Sequence, residues 1–170
     1  CRRTPPLRPI GATLAKGYGL PARVEIGPAA RWLFISAYLL DGARGDGMEL
    51  PDAVVAHPGV DDRLFARREP HAWSWRLLYC GRIEQRKGVD TAVQALALLP
   101  EHATLTLDGP VAEPERVRLS ELAATLGVLD RVHFRLTARP QLPDVYAAAD
   151  AVVFPVRWRE PWGLVPLEAM

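Results

Sequence analysis

The sequence predicts an α/β fold, a parallel sheet with helices flanking both faces. From Trp75 onward, short apolar runs alternate with amphipathic stretches of helical period, a β-α-β rhythm that continues to the end of the chain. Strands joined by helical patterns of about 10–15 residues need crossover connections, and those pair strands in parallel. Turn-forming or charged segments (Gly81-Arg82, Asp108-Gly109-Pro110, Leu136 to Pro140, Pro155 to Gly163) each fall directly after a predicted strand. Ligands of such sheets bind beyond the carboxyl ends of the strands, so the chemistry is expected along one edge.

Residues 1 to about 30 hold Gly11, Gly17, Gly19, Pro21, Gly27 and Pro28, too closely spaced for a long regular element, and irregular structure is expected there. Trp32 to Ile35 is a short β-prone run, Ser36 an N-cap candidate for a helix through about Ala43, and Ala53 to Ala56 a second short strand. Asp61 to Ser74, charged and containing Pro70, has the composition of a linker. Arg76 to Cys80 is a strand; Val89, Ala92, Val93, Leu96 and Leu99 recur at helical spacing; Thr104 to Leu107 is a strand. A helix from about Pro114 puts Leu119, Leu122, Ala123 and Leu126 on one face, with Pro near its start and Gly127 at its end. Val132 to Leu136 follows as a strand, Leu142 to Ala149 as a short helix and Ala151 to Phe154 as a strand.

A length of 170 residues allows one core or parts of two. Twenty-one basic against twenty acidic residues, a net charge of +1, gives no reason to expect a nucleic-acid partner. The longest apolar run, Trp32 to Leu40, is interrupted by Ser36 and falls far short of the roughly 20 residues that span a bilayer, so no transmembrane helix is expected. The opening Cys1-Arg2-Arg3 lacks an initiator Met and an apolar signal stretch, and reads as a cut inside a longer gene. Cys1 and Cys80 have no second Cys or His at metal-ligand spacing, which supports neither a disulfide framework nor a metal site and makes a reducing cytoplasm the expected location. Cys80, closing a strand, reads as a small buried hydrophobe rather than a reactive thiol.

Two groups of residues could carry chemistry. Arg82 and Lys87 bracket the loop between a strand and its helix, and a diphosphate needs separated cationic donors near a helix N-terminus. Alone, such a cluster is more often a solvated basic turn. Glu160 and Glu168, with seven residues between, can place one carboxylate in a loop and the other one turn into the next helix. Paired acceptors suit vicinal hydroxyls better than phosphate, which they repel. Out of context, two glutamates at this spacing carry little weight.

Taken together, Gly81-Arg82-Ile83-Glu84-Gln85-Arg86-Lys87-Gly88 and Glu160-Pro161-Trp162-Gly163-Leu164-Val165-Pro166-Leu167-Glu168-Ala169-Met170 resemble the nucleotide-sugar site of the retaining GT-B-type glycosyltransferases, the glycosyltransferase group 1 family. The resemblance covers roughly residues 52 to 170. It implies an incomplete GT-B C-terminal domain with a Rossmann-like parallel sheet. Residues 1–70 are then the remnant of an N-terminal, acceptor-side domain and linker, and residues 71–170 part of the nucleotide-sugar-binding domain. The implied reaction moves a sugar, of hexosyl type, from a nucleoside diphosphate to a hydroxyl acceptor with retention, without metal or further cofactor. Arg82, Lys87 and Glu160 would be catalytic, and Gly81, Arg82, Lys87, Glu160, Gly163, Leu164, Val165 and Glu168 would bind the donor. Arg82 and Lys87 hold the pyrophosphate in this resemblance, Glu160 the sugar and Glu168 the ribose, while Arg86 has no role and is expected on the surface.

The acceptor, whether carbohydrate, lipid or small molecule, is not specified. Membrane-associated acceptors are common in the family, so the longer protein could be peripheral to a membrane, although no amphipathic basic helix argues attachment here. The family more often has Phe where Trp162 stands and Ser where Val156 stands. It has a Gly near Leu136, so no base contact is assigned there, and Leu107 replaces the first Gly of its Gly-Asp-Gly-Pro turn. His57-Pro58-Gly59-Val60-Asp61 resembles the family's domain-crossover stretch, with His57 read as structural. A fragment of this kind is expected to keep elements of donor binding without turnover. Two other readings stand beside it: a sugar phosphorylase of related architecture, and a non-catalytic Rossmann-like module or dinucleotide-dependent enzyme. Against the last, no Gly-x-Gly-x-x-Gly follows Cys80.

Overall fold

The computed structural model describes residues 31–66, 69 and 71–170; the expectations for residues 1–30, and for Cys1 and Pro70, lie outside these. The chain divides into two compact units, one ending at Pro58 and the other running Gly59–Met170. In the first, strand β1 (Leu33–Phe34) pairs in parallel with β2 (Val54–Val55). Helix α1 (Ala37–Gly45) opens on the expected cap, Leu39 N–H donating to Ser36 Oγ at 3.4 Å. His57 is structural here, its Nδ1 donating to the Ile35 carbonyl at 3.0 Å.

The second unit runs β3 (Arg76–Cys80), a 3-10 turn (Gln85–Lys87), α2 (Val89–Leu96), β4 (Thr104–Asp108), α3 (Glu113–Thr125), β5 (Val132–Arg135), α4 (Leu142–Ala148), β6 (Ala151–Val152) and α5 (Leu164–Ala169). Its four strands lie in the order β5-β4-β3-β6, all parallel, with Leu77 opposite both Leu105 and Ala151. The expected α/β architecture is therefore present. Alternation along β3 sends Tyr79 to one face and Leu78 and Cys80 to the other. The first face packs on α2 and α3 through Val89, Val93, Leu96, Leu119 and Ala123, and the second on α4 and α5 through Val145, Tyr146 and Val165. Burial pushes the Cys80 thiol above its ordinary pKa, as befits a packed hydrophobe.

Three of the boundaries that differ from the sequence expectation have a clear local cause. The α2 pattern ends at Leu96 instead of Leu99, because Pro100 bars its predecessor from helical backbone and the chain tightens into i+3 bonds, Leu99 N to Leu96 O at 3.1 Å. Arg131 satisfies the carbonyls left over, Nη2 donating to Leu96 O at 3.2 Å and Nη1 to Pro100 O at 2.9 Å. Strand β6 stops at Val152, two residues before Phe154: Val153 N still donates to Leu78 O, but Pro155 has no N–H to continue the ladder. Strand β5 ends at Arg135 because Thr137 turns toward Asp108.

The strand order reverses between β3 and β6, and in open parallel sheets ligands bind at the carboxyl ends of such a switch point. At that edge the loops after β3 and β4 touch through backbone. Gly109, at φ +155°, has Gly81 O where a Cβ would stand, 2.0 Å away.

At the opposite edge Asp150 ties the approach to β3 onto β6. Its Oδ2 accepts from Arg76 N at 2.7 Å, Ser74 N at 3.1 Å and Arg76 Nε at 3.2 Å, while His71 Nδ1 lies 3.2 Å from Oδ1. The Arg76 hydrogen bonds hold this carboxyl at a pKa of about 2, below its ordinary 3.8. A depressed carboxylate pKa contributes stability that is complete above the unfolded value and lost as pH falls through the folded one. Thermal midpoints should therefore drop between about pH 4 and pH 2, and Asp150→Asn should both lower the neutral-pH midpoint and flatten that acid limb. An unaltered acid limb in the variant would show that Asp150 does not tie the two strands.

Candidate functional site

The loops after β3 and β6 meet because of one residue without a side chain. Gly88, at φ +68° and ψ +22°, ends the 3-10 turn and begins α2, and a Cβ there would lie 2.0 Å from Pro155 O. Left-handed backbone and close approach both require glycine. Arg157 fastens the same contact from outside, Nη2 donating to Asp90 Oδ2 at 3.0 Å and Thr91 Oγ1 at 2.6 Å in the first turn of α2.

This contact brings the two sequence motifs together. Lys87 Nζ donates to Glu160 Oε2 at 2.6 Å, with side chains only 15% and 21% exposed. Arg82 takes its backbone position from Tyr79, whose hydroxyl donates to the Arg82 carbonyl at 2.7 Å. Its guanidinium is 63% exposed and stands 3.8 Å from Glu84. Burial, with Glu84 nearby, raises the Tyr79 pKa, keeping this donor protonated. Arg86 lies exposed as expected, where it donates to Glu84 at 2.8 Å and stacks on Trp158, its Cζ 5.2 Å from the ring centre. That hydrogen bond holds the Glu84 carboxyl below the usual carboxylate range.

Glu168 projects from α5 as expected, but into a buried setting. Its side chain is 5% exposed; Oε1 accepts from Arg139 Nη1 at 3.0 Å and Oε2 from the Tyr146 hydroxyl at 2.9 Å. Each carboxylate oxygen has about two acceptor positions, and Arg139 and Tyr146 take one on each. Burial foremost, and then Cys80 and Glu168, push the Tyr146 hydroxyl far above its ordinary range. Arg139 also lies over the Phe65 ring, 5.6 Å from its centre. Gly163 is the N-cap of α5, with Leu164 and Val165 in the first turn.

Three residues of this edge escaped the sequence reading: Arg139, Tyr146 and Trp158. Asp108, buried at the end of β4, accepts from Thr137 N at 2.9 Å and Thr137 Oγ1 at 2.6 Å, fixing the loop after β5. Only the Asp-Gly-Pro turn signal marked it in the sequence. An open depression of about 500 Å³ includes Glu168, Tyr146, His71 and Asp150 in its lining but none of Gly81, Arg82, Lys87 and Glu160. It runs toward the amino ends of the strands, whereas the charged loops gather at the carboxyl ends. The charged edge is the better site on chemical grounds. Among the described residues no group of three or more His, Cys, Asp or Glu is placed to hold a metal ion, and no helix is long and apolar enough to cross a membrane.

The arrangement combines cations for a polyanion with carboxylates for hydroxyls along one rim. Comparison with known proteins points the same way. The family described as Glycosyl transferases group 1 matches residues 63–170. A D-inositol 3-phosphate glycosyltransferase of Mycolicibacterium vanbaalenii is 35% identical over 97% of this chain and 39% of its own length. Its counterpart in Xylanimonas cellulosilytica is 44% identical over 72% of this chain and 34% of its own length. This chain thus spans about two fifths or less of these relatives. Among solved structures, WaaG, a glycosyltransferase involved in lipopolysaccharide biosynthesis, superposes with a TM-score of 0.71 at 26% identity, over 85% of this chain and 43% of its own. Anabaena HepE, in complex with UDP and glucose, shares the fold at a TM-score of 0.75 and 22% identity, over 94% of this chain and 44% of its own.

Gly88→Ala forces a Cβ into the Pro155 carbonyl and strains a left-handed backbone. It should cost on the order of 2–4 kcal/mol in denaturant unfolding, whereas Gly42→Ala, inside helix α1 where a Cβ meets nothing within 4 Å, should stabilise by roughly 0.5–1 kcal/mol. A Gly88→Ala chain as stable as the parent would mean the loops do not meet at Gly88.

Proposed function

The chain belongs to the group 1 glycosyl transferases, and from that premise we propose that it supplies the donor side of an enzyme that transfers a hexosyl group from a nucleoside diphosphate to a hydroxyl acceptor with retention. The observation that carries this reading is the Lys87–Glu160 pair, which joins the basic loop after β3 to the acidic loop after β6 at 2.6 Å. Cations and hydroxyl acceptors at one crevice suit a ligand that is anionic at one end and polyhydroxylated at the other. A nucleotide sugar has both.

In this reading Arg82 and Lys87 take the diphosphate oxygens and stabilise the charge that develops as the glycosidic bond breaks. Glu160 releases Lys87 and accepts from the sugar hydroxyls, and Glu168 accepts from the ribose diol on the lone pairs that Arg139 and Tyr146 leave open. Gly81, Gly163 and the amides of Leu164 and Val165 line the approach. No step requires a metal, a further cofactor or a covalent enzyme intermediate. The named activity of the inositol 3-phosphate relatives supports a small phosphorylated polyol as acceptor. Since the chain spans about two fifths of such a relative, we expect it to bind donor without transferring sugar by itself.

Titrating the chain with UDP, GDP, ADP and NAD while following thermal stability tests the reading. At least one nucleoside diphosphate should raise the midpoint with concentration as native-state binding requires, and stabilisation by NAD alone would overturn it. Arg82→Ala and Lys87→Ala should each weaken diphosphate binding roughly 10- to 100-fold, the worth of a lost charge-assisted hydrogen bond. Lys87→Ala should be the more severe, because it also leaves Glu160 unneutralised beside the phosphates. Glu168→Ala should erase any preference for UDP over 2′-deoxy-UDP. Unchanged affinities in all three variants would show that these residues do not bind the donor.

A further inference from the structure

Resting on that reading, we propose that Trp158 is a positioning residue of the donor site: its indole face holds Lys87 in place once Glu160 turns from the lysine to the donor sugar. Lys87 Nζ lies 5.1 Å from the Trp158 ring centre and Arg86 Cζ 5.2 Å, both within the roughly 6 Å over which a cation feels the ring's negative face. The ring thus serves two adjacent cations whose charges repel each other. It also helps close Lys87 off from water, since the lysine is 15% exposed while Trp158 itself remains 39% exposed.

The need for such a residue follows from the ion pair. Lys87 and Glu160 have separate tasks on the donor, yet each is the other's partner at 2.6 Å. An arriving diphosphate attracts the lysine and repels the carboxylate, so the pair must part. A lysine released from Glu160 is a flexible four-carbon stem with several rotamers to lose again on binding phosphate. An aromatic face restrains it without occupying any of the three ammonium donors, which a second carboxylate would compete for. An aliphatic side chain of similar bulk would shield the ammonium without attracting it.

The test is UDP affinity by calorimetry for the wild-type chain, Trp158→Leu, Trp158→Phe, Lys87→Met and the Trp158→Leu/Lys87→Met double variant, with a thermal midpoint for each. Trp158→Leu should weaken UDP roughly 3- to 30-fold, the span of a cation–π contact, and Trp158→Phe should restore part of it. In the Lys87→Met background the same Trp158→Leu change should have little further effect, because the ring then has no ammonium to hold. An unchanged affinity in Trp158→Leu, or a loss that persists undiminished without the lysine, would overturn the inference while wild-type binding leaves the donor-site reading intact. Failure of the wild-type chain to bind UDP, GDP or ADP would instead remove that reading and the inference with it. Should Trp158→Leu fail to fold, Trp158→Met against Trp158→Phe carries the same comparison.

Discussion

The site exists because the backbone at Gly88 lies against the carbonyl of Pro155, with no space between them for a single carbon. Everything that follows on either side inherits its position from that contact. Lys87 precedes the glycine directly, Glu160 follows the proline by five residues, and their side chains meet. The topology makes the contact possible by placing β3 and β6 side by side, and Pro155 shapes it by ending the β6 ladder so that the chain can cross to α2. Arg157 on Asp90 and Thr91 then secures the crossing with charge.

Magnitudes decide how this rim behaves when a ligand arrives. A partly exposed lysine–carboxylate pair contributes about 1 kcal/mol or less, whereas each charge-assisted hydrogen bond to a phosphate oxygen is worth about 1.5–3 kcal/mol. On the proposed reading, exchanging Glu160 for a diphosphate is therefore favourable for Lys87, and the pair is a placeholder rather than a lock. Arg82 needs no such exchange, since its guanidinium is mostly in water with Glu84 only at 3.8 Å. Self-neutralisation also keeps the like charges of Arg82, Arg86 and Lys87 tolerable on one short loop, with Glu84 and Glu160 interleaved among them.

The fold was largely legible because its signals are local. Apolar residues at period 3.6 in α2 and α3, and short β-prone runs at β3 and β4, specify element type without reference to the rest of the chain. Boundaries were less so: α2 and β6 stop where Pro100 and Pro155 withdraw helical backbone or a donor, and periodicity does not register such vetoes. At the site, the charged residues were legible as types beside turns, but their partners were not. Arg139 and Tyr146 reach Glu168 across 29 and 22 residues, and Lys87 reaches Glu160 across 73, distances that only strand order can close. Trp158 gave no signal, since an aromatic in a loop announces neither a cation nor a core. Leu136, where a base contact would be sought, lies exposed and gives no further clue.

The two glutamates that drew attention by spacing are opposites in environment, and this bears on what each can do. Glu168 is enclosed, with an arginine and a tyrosine each fixing one of its oxygens, so its direction is set before any ligand binds. Glu160 is held by one flexible lysine on a half-open rim. On the proposed reading that difference matches their assignments. The ribose is the same group before and after transfer, and a preorganised acceptor loses little entropy in meeting it. The sugar is what moves, and its carboxylate must be able to take hold and let go. A loop glutamate whose partner is attracted elsewhere by the diphosphate can do so, because the anion that brings the sugar into the site also draws Lys87 away from it.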